Sequence, residues 1–441
     1  NLNRRPTTRP PQFPIDGWRI MVNPKMSKRP VYHRRETCRA CGEKSLRLFL
    51  PLGSQPLANS FLKSPDEFAA EQFFPLDTHF CETCSLVQIP DVVDPETLFR
   101  HYLYVTGTSD TIAQHNRSYA QSVTNMLWLT KNDLVIEVAS NDGSLLRCFQ
   151  DLGVKTLGVD PATNVAAMAR ANGVETINEF FDHDTAKKIR AERGPAKAVI
   201  GNNVLAHVDD TQGFLRGCKE VIGDDGLVII EMPYLGDLLK RTEYDTIYHE
   251  HLCYFSVTSL MRLCESAGLR IVRMDHVPIH GGSIRMHAGH VEVRPNHSAQ
   301  VLAWAEEEKS KGFATFERFQ QLASDVERNR ESLLYLLNSL KAEGKTVAGY
   351  GAAAKGNTLL NYCQITTDLL PYVVDKNPLK LGMFTPGMHI PVLPVSTLLE
   401  QQPDYLLILA WNFGEEIMRQ QSEYKARGGK FILPIPEVAV V

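Results

Sequence analysis

The segment Ile247–Ser256, with the sequence IYHEHLCYFS, contains two histidines, two tyrosines, a glutamate and a cysteine. Histidine titrates near neutral pH, and a neighbouring carboxylate can orient its ring and stabilise the imidazolium. We therefore predict an acid–base site in this segment. Two alternatives stay open: a hydrogen-bonded structural histidine pair, and a metal site formed by His249, His251 and Cys253, although the HExxH spacing of zinc proteases is absent.

Two CxxC pairs indicate a metal site of another kind. In each pair the two-residue gap lets both thiolates reach one tetrahedral ion from a tight turn. The four predicted zinc ligands are Cys38, Cys41, Cys81 and Cys84. Four thiolates leave no open position for a substrate, so the zinc is expected to be structural.

The segment LVIEVASNDGSLL at 134–146 is typical of a buried strand, a turn of small residues and the start of a helix. It lacks the G-x-G-x-x-G pattern of dinucleotide folds and carries acidic residues, which favour the cationic cofactor S-adenosylmethionine (SAM). An ordinary turn is the alternative. Ligands of open parallel sheets bind at the carboxyl ends of the strands, where His207 is also predicted to lie. The predicted cofactor residues are Glu137, Ala139, Asn141, Asp142, Gly143, Asp160, Asn202 and Asn203.

Two further glycine-containing loops are candidate substrate sites. HGGSIR at 280–285 contains an arginine that could hold an anion, and a glycine hairpin is the alternative. GYGAAAKGN at 349–357 follows a predicted strand and opens a helix, whose free amides could bind a phosphate or diphosphate. The predicted substrate residues are Ser283, Arg285, Tyr350, Gly351, Ala353, Lys355, Asn357 and Asp375.

The elements that must position these residues alternate between strand and helix patterns. Short β-rich stretches occur at 134–138, 156–160, 196–202 and 226–232, and helix-like stretches separate them. This alternation predicts a parallel sheet in an α/β fold. Residues 298–343 predict one or two long amphipathic helices, and strand patterns return at 345–351, 371–377 and 404–411.

Bulk composition excludes several classes of protein. The 441 residues are 43% hydrophobic and 22% charged, which is typical of a globular protein with more than one domain. The net charge of −4 gives no general attraction to nucleic acid or to anionic membranes, and no stretch of eighteen apolar residues occurs. The nine cysteines suit a reducing cytoplasm better than a disulfide framework. Residues 1–35 are rich in arginine and proline, and we expect a disordered lead-in or a remnant of an expression tag there.

From residue 36 onward the chain resembles the sugar C-methyltransferases of deoxysugar biosynthesis. The resemblance depends on the order of the cysteine pairs, YLYVTGTS at 102–109, EVASNDG, NNVLAHV, YHEHLCYFS, HGGSIR and GYGAAAKGN. It implies a Rossmann-like SAM methyltransferase core between a zinc-binding domain and a second Rossmann-like domain. The implied parts are a lead-in (1–35), a zinc-binding domain (36–100), a SAM-dependent methyltransferase domain (101–297), a helical connection (298–343) and a nucleotide-sugar-binding domain (344–441).

The resemblance also implies a reaction, namely methylation at C3 of a nucleotide-linked 4-keto-6-deoxysugar, with dTDP as the expected nucleotide and GDP as the alternative. No nucleic-acid or membrane partner is expected. The implied catalytic residues are His251 as the general base, Glu250, Tyr248, His207, and either Tyr102 or Tyr104. Three other functions stay open: an O-methyltransferase of a nucleotide sugar, an NAD-dependent enzyme that uses the second glycine loop, and a zinc protein that binds nucleic acid.

Overall fold

The computed structural model describes residues 31–100, 110–279 and 281–441. In these ranges no helix combines the length and the apolar character that a bilayer span requires. The predicted lead-in is wrong at its end, because residues 32–34 form a strand. Tyr32 and Arg34 both donate hydrogen bonds to the buried carboxylate of Asp91. These hydrogen bonds hold the polar, arginine-rich segment in an ordered sheet.

The N-terminal part of the described chain is a small antiparallel β-structure. It contains β1 (Tyr32–Arg34), β2 (Leu46–Pro56), β3 (Phe73–Cys81), β4 (Val87–Gln88), β5 (Asp91–Val93), α1 (Pro95–Phe99) and a 3-10 helix (Pro65–Ala70). β2 and β3 form a long hairpin that fills the gap between the two CxxC pairs. The hairpin thereby brings pairs that are distant in sequence to the same end of the sheet.

The central part is a seven-stranded sheet with helices between its strands. Its strands are β6 (Leu134–Val138), β7 (Lys155–Val159), β8 (Thr176–Ile177), β9 (Ala196–Asn202), β10 (Ile222–Pro233), β12 (Leu269–Val277) and β13 (Ser283–His290), and the short β11 (Cys253–Tyr254) precedes β12. Its helices are α2 (Asp110–Leu127), α3 (Ser144–Asp151), α4 (Thr163–Ala171), α5 (His183–Arg193), α6 (Thr211–Val221), α7 (Leu235–Arg241) and α8 (Val257–Ser266), with 3-10 helices at Leu205–His207 and Tyr244–Thr246.

The strand order of this sheet is β12-β13-β10-β9-β6-β7-β8, and β13 runs antiparallel to both of its neighbours. The order reverses at β6, because β7 and β8 lie on one side of it and β9 and β10 on the other. Loops leave the sheet in opposite directions at such a switch point and open a crevice for a ligand. The predicted α/β fold with a parallel core is therefore confirmed, with an antiparallel strand inserted near one edge.

β11 does not join the central sheet. It pairs with β4 and completes the N-terminal sheet, in the order β11-β4-β3-β2. Because β11 belongs to the histidine-rich segment, this pairing attaches that segment to the N-terminal part.

Two long helices lead to the last part, as predicted: α9 (Ala299–Ser310) and α10 (Phe316–Ala342). The last part contains β14 (Val347–Tyr350), β15 (Val373–Asp375), β16 (Val392–Pro394), β17 (Tyr405–Ile408), β18 (Lys430–Leu433), β19 (Ala439–Val440), α11 (Ala354–Cys363), α12 (Thr397–Gln401), α13 (Gly414–Gln420), α14 (Ser422–Ala426) and a 3-10 helix (Trp411–Phe413). The strand order is β16-β15-β14-β17-β18-β19, and all pairs but the last are parallel.

The hydrophobic cores join the three parts. One buried cluster contains the zinc-site cysteines and the apolar face of the central sheet. A second contains side chains of the N-terminal hairpin, of α7, of α10 and of the C-terminal sheet. Burial of apolar area stabilises a fold by about 25 cal/mol per Å². Shared burial therefore couples the parts energetically.

Candidate active site

A cavity of about 860 Å³ opens at the switch point of the central sheet. Its wall contains ten of the predicted site residues, nine from the central part and one from the start of α11 in the last part. They are Glu137, Ala139, Asn141, Asp160, Asn202, Asn203, His207, Tyr248, His251 and Lys355. Tyr102 and Tyr104 lie outside the described residues.

His251 is held by hydrogen bonds on both ring nitrogens. Nδ1 lies 3.0 Å from the carbonyl oxygen of Thr246, and Nε2 lies 2.9 Å from the hydroxyl of Tyr248. A carbonyl only accepts, so Nδ1 carries a proton and the lone pair of a neutral ring is on Nε2. The nitrogen beside Tyr248 is therefore the basic one.

His207 lies against His251, with ring centroids 4.9 Å apart and planes nearly perpendicular. Phe99 contacts the His207 ring as well, at 5.5 Å between centroids. Burial lowers the pKa of His207 to about 4, because the charged imidazolium loses its hydration there. At neutral pH the cavity thus contains a neutral histidine next to the base candidate.

The other two residues of the YHEH sequence bond to the N-terminal part. His249 Nε2 lies 3.1 Å from the carbonyl oxygen of Pro75, and the Asn59 amide donates to Glu250 at 2.6 Å. His249 thus fits the alternative of a structural, hydrogen-bonded histidine. Metal coordination by His249, His251 and Cys253 finds no support, since the one candidate metal cluster in the described chain is formed by four other cysteines.

The loop after β6 contains three residues with a left-handed backbone conformation. Ala139, Asn141 and Gly143 have φ angles of 58°, 50° and 76°. The amide of Asn141 donates to one oxygen of Asp160 at 2.8 Å, and the amide of Ala162 donates to the other, also at 2.8 Å. Asp160 therefore fixes the loop from the end of the next strand, and burial raises the pKa of its carboxyl group.

The chemistry of this wall fits SAM. At the carboxyl ends of β6 and β9, three buried oxygen atoms of described residues have no hydrogen-bond partner: Glu137 Oε2, Ser140 Oγ and Asn202 Oδ1. Burial raises the pKa of Glu137 well above its usual range, and the nearby Asp142 and Asp160 add to the effect. A cationic ligand would satisfy these oxygens and relieve the repulsion between the carboxylates.

The four predicted zinc ligands come together in the N-terminal part. Their Sγ atoms all lie within 4.8 Å of one another, a spacing that fits one tetrahedral ion. The Gln88 side chain donates to Cys38 Sγ at 3.0 Å, and Ser45 Oγ lies 3.3 Å from Cys81 Sγ. Such bonds to the sulfurs support a closed structural site.

The comparison with known proteins matches this three-part organisation. Residues 38–99 match a family model described as a zinc binding domain, residues 112–274 a methyltransferase domain, and residues 278–436 a C-methyltransferase C-terminal domain. The chain is 39% identical over 410 residues to C-methyltransferase NovU of Streptomyces niveus, an alignment that covers 92% of this chain and 97% of NovU. The chain belongs to the C-methyltransferase family. It is a SAM-dependent enzyme with a zinc-binding domain.

Solved structures resemble this C-methyltransferase only in part. The PH0226 protein of Pyrococcus horikoshii OT3 is 14% identical and covers 45% of this chain and 96% of its own, with a TM-score of 0.34. The CcbJ methyltransferase of Streptomyces caelestis is 15% identical and covers 40% of this chain and 89% of its own, with a TM-score of 0.32.

Two predicted cofactor residues of the C-methyltransferase have packing roles. A Cβ atom at Gly143 would lie 2.9 Å from a methyl group of Val174, and the φ of 76° also favours glycine, so local packing and backbone conformation both require this residue. Asp142 accepts a hydrogen bond from the amide of Ser144, the first residue of α3. Neither is among the residues that line the cavity.

The predicted substrate residues Ser283 and Arg285 lie in β13, outside the residues that line the cavity, and their role toward a substrate stays a prediction. Strand register places Arg285 opposite Glu231, and two nitrogens of the guanidinium donate to one buried oxygen of Glu231 at 2.6 and 3.0 Å. Tyr119 covers the guanidinium, whose carbon is 3.7 Å from the ring centre. Ser283 is fully buried and donates to the carbonyl of Ile279. Both side chains are already satisfied within the protein.

The second glycine loop repeats the architecture of the first. The amide of Ala352 donates to Asp375 at 2.6 Å, just as Asn141 donates to Asp160. A Cβ at Gly351 would lie 2.8 Å from that of Ala410. Asn357 donates to the Ala58 carbonyl of the N-terminal part at 2.7 Å. These three predicted substrate residues therefore have structural contacts.

Of the other predicted substrate residues in this loop, two lie away from the cavity and one reaches its wall. Tyr350 is buried among apolar side chains of the C-terminal core, and Ala353 is the N-cap residue of α11. Lys355 lies in the first turn of that helix and reaches the wall of the central cavity. One side chain of the loop thus faces the cavity that contains His251.

Among the acids of the cavity wall that were not predicted from the sequence, Glu231 and Glu243 are the most deeply buried. Glu231 lies near the carboxyl end of β10 and contacts His115 as well as Arg285. Glu243 lies just before the histidine-rich segment, and burial raises its pKa to about 8. Glu231 could have been inferred from its position in an otherwise apolar strand, whereas no local pattern marks Glu243.

Proposed function

We propose that the acceptor is a nucleotide-linked 4-keto-6-deoxysugar and that the enzyme methylates a carbon next to its keto group, which we expect to be C3. The observation that carries the proposal is the tautomer of His251, whose basic Nε2 belongs to the same cavity wall as the SAM loop. A C–H bond becomes acidic beside a ketone because the resulting carbanion delocalises onto oxygen as an enolate. The named relative is called only a C-methyltransferase, so the sugar is our inference.

His251 is proposed as the general base. The Thr246 carbonyl accepts from Nδ1 and stabilises the imidazolium that forms when Nε2 takes the proton. Positioned general bases contribute about 10²- to 10⁴-fold to rate. The mismatch in pKa between imidazole and a ketone C–H costs about 1.4 kcal/mol per unit, so the base requires further help.

Donors to the enolate oxygen are proposed to supply that help. Tyr248 and His207 contact the base candidate and are both part of the cavity wall. Because His207 is neutral at neutral pH, one of its nitrogens carries a proton that it can donate. Each such donor is worth roughly 2.7–4 kcal/mol. Tyr102 or Tyr104 is a further proposed donor, and Glu250 is proposed to position the segment through Asn59.

The cofactor side of the cavity is proposed to consist of Glu137, Ala139, Asn141, Asn202 and Asn203. When bound, SAM supplies a methyl group on a positively charged sulfur, which a carbanion can attack. Nine Asp and Glu side chains belong to the cavity wall, and they would favour a cation over an anion. Holding both reactants in this one cavity would supply much of the remaining acceleration.

Lys355 is proposed to bind the diphosphate of the nucleotide sugar. It is the one Lys or Arg side chain among the described residues that line the cavity. Its place in the first turn of α11 puts it near the free amides of a helix N-terminus, which also favour phosphate. Residues 344–441 would then form the nucleotide-sugar domain, with dTDP as the expected carrier. A reducing, cytoplasmic location is proposed from the thiolate ligands of zinc.

The experiment that tests this function is hydrogen exchange followed by methyl transfer. The enzyme is incubated with dTDP-4-keto-6-deoxyglucose in heavy water, with and without SAM, and NMR is used to locate deuterium and the new methyl group. We expect both at C3. The ketone also makes the hydrogen at C5 acidic. Deuterium and methyl at C5 would therefore show that the reaction occurs at C5, by the same carbanion mechanism.

A substitution at the base completes the test. His251→Asn should abolish exchange and turnover, because the amide cannot take a proton, while SAM affinity measured by calorimetry stays near that of the wild type. His183→Asn is a matched control, since this histidine lies in the same wall outside the proposed base cluster. No exchange by the wild type under any condition would contradict the carbanion mechanism.

A further inference from the structure

Glu243 is a carboxyl group in the wall of the cavity that the mechanism above does not use. It is 4% exposed and belongs to the same wall as Thr246, Tyr248, His251 and Lys355. Its Oε1 atom has no hydrogen-bond partner among the described residues, and the guanidinium of Arg241 lies 3.7 Å from it, beyond hydrogen-bond distance. A buried polar atom without a partner is costly and commonly marks a functional contact.

Gly281, which has no side chain, leaves space for the carboxyl group of Glu243. Gly281 has a φ of 98°, and a Cβ atom there would lie 3.2 Å from both carboxylate oxygens of Glu243. The guanidinium of Arg241 donates to the Gly281 carbonyl at 2.7 Å and fixes the loop in that position. Gly281 therefore lets the loop pass close to Glu243.

The charges that face Glu243 come from every neighbouring element. Lys355 approaches from the start of α11 and Arg241 from the end of α7, while Asp237 and Asp245 add negative charge from α7 and from the 3-10 helix. Asp245 is itself fully buried and accepts from the indole of Trp411 at 2.6 Å. Desolvation is the largest effect and raises the pKa of Glu243 to about 8, so the carboxyl group is protonated at neutral pH.

We propose that Glu243 is a catalytic acid that donates a hydrogen bond to the acceptor's carbonyl oxygen while negative charge develops on it. This deepens the proposed function and rests on it. A carboxylic acid kept neutral by its surroundings is a strong donor to such an oxygen. A phosphate bound beside Lys355 would add negative charge and keep Glu243 protonated.

The electron and proton balance of the step is complete. His251 Nε2 takes the proton from the carbon, the C–H electron pair forms the C=C bond of the enolate, and the carbonyl π pair moves to the oxygen that Glu243 contacts. The enolate carbon then bonds to the transferred methyl group, the carbonyl re-forms, and the S–C electron pair stays on sulfur. The imidazolium finally loses its proton to solvent, and Glu243 ends the cycle protonated.

The test compares Glu243→Gln and Glu243→Ala with the wild-type enzyme. The carboxamide still donates a hydrogen bond, so Glu243→Gln should keep turnover within about tenfold, whereas Glu243→Ala should lower kcat by about 100-fold. SAM affinity should not change in either. Glu343→Gln, an exposed position at the end of α10, is the control and should not change kcat.

The pH profile separates a catalytic acid from a structural residue. The wild-type kcat should fall as Glu243 ionises, above about pH 8. Glu243→Gln should lack this alkaline decline, because its donor does not titrate. An identical decline in Glu243→Gln, or an unchanged kcat in Glu243→Ala, would overturn the proposal.

A measurement without acceptor distinguishes this inference from the proposed function. Infrared difference spectra between the wild type and Glu243→Gln should show the carbonyl band of a protonated carboxyl at pH 7, and the band should disappear on alkalinisation. If the wild type does not methylate the ketosugar but the band is present, the proposed acceptor is wrong, whereas the protonated state of Glu243 is supported. If the band is absent at pH 7, the catalytic-acid proposal fails.

Discussion

At the scale of single residues, one backbone carbonyl decides the chemistry of the site. The Thr246 oxygen can only accept, so it assigns the proton of His251 to Nδ1 and leaves Nε2 basic. His207 lies 4.9 Å away between ring centroids and stays neutral through burial. Two identical side chains thus acquire different properties from their surroundings.

Lys355 gives the first prediction at this scale. Replacing it by Met should raise the KM for the nucleotide sugar at least tenfold, because the cavity would lose its one cationic Lys or Arg side chain in the described chain. SAM affinity should be unchanged, and steady-state kinetics with calorimetry would check both. Lys376→Met is the control, since Lys376 is exposed. An unchanged KM in Lys355→Met would refute the role in diphosphate binding.

For Arg285 we predict an effect on stability and not on substrate binding. Arg285→Met should lower the free energy of unfolding by about 3–5 kcal/mol, because it leaves the buried Glu231 without its guanidinium partner. Denaturant unfolding would measure this. A normal stability with a raised KM for the sugar would instead support the substrate-binding role that the sequence suggested.

At the scale of elements, a carboxylate from one helix holds the start of another. Glu308 on α9 accepts from the amides of Val257 and Thr258 at 2.7 and 2.8 Å, and from the hydroxyl of Tyr234 at 3.0 Å. α8 begins at Val257, directly after the histidine-rich segment. The C-terminal end of that segment is therefore fixed by α9.

We predict that Glu308→Ala destabilises the enzyme by about 1–3 kcal/mol, the cost of leaving buried amides unsatisfied. Thermal unfolding would check this, with Glu306→Ala as the control because its side chain is exposed on the same helix. Equal melting temperatures for the two variants would show that α8 does not depend on this carboxylate.

At the scale of the whole molecule, the zinc site is connected to the active site. Arg39 lies between the cysteines of the first pair, is buried, and donates to Asp209 at 3.1 Å. Asp209 follows His207 by two residues and belongs to the cavity wall. The cysteines themselves are not among the residues that line it.

Loss of zinc is therefore predicted to impair catalysis from a distance. Cys81→Ser should lose zinc, measured by metal analysis, and should lower both the melting temperature and the rate of methyl transfer as Arg39 loses its position. Cys148→Ser, a cysteine outside the cluster, should retain zinc and activity. A fully active, metal-free Cys81→Ser enzyme would contradict the structural role of the ion.

The sequence by itself determined the local chemistry. Hydrophobic patterns predicted strands at 134–138 and 196–202 with the bounds that the structure has, because a parallel strand buried on both faces is rich in apolar residues. CxxC spacing predicted the four ligands, because a two-residue gap already sets the geometry of each pair.

Only the tertiary structure decided which polar groups are free to act. Strand register places Arg285 beside Glu231, with which it forms an ion pair. Gly143 packs closely against Val174. Because β11 pairs with β4, His249 forms its hydrogen bond with the N-terminal part. Glu243 and Lys355 meet at the cavity although they are far apart in sequence. The reason is physical: a side chain's chemistry follows from its own type, but its protonation, partners and access depend on neighbours brought together by the fold.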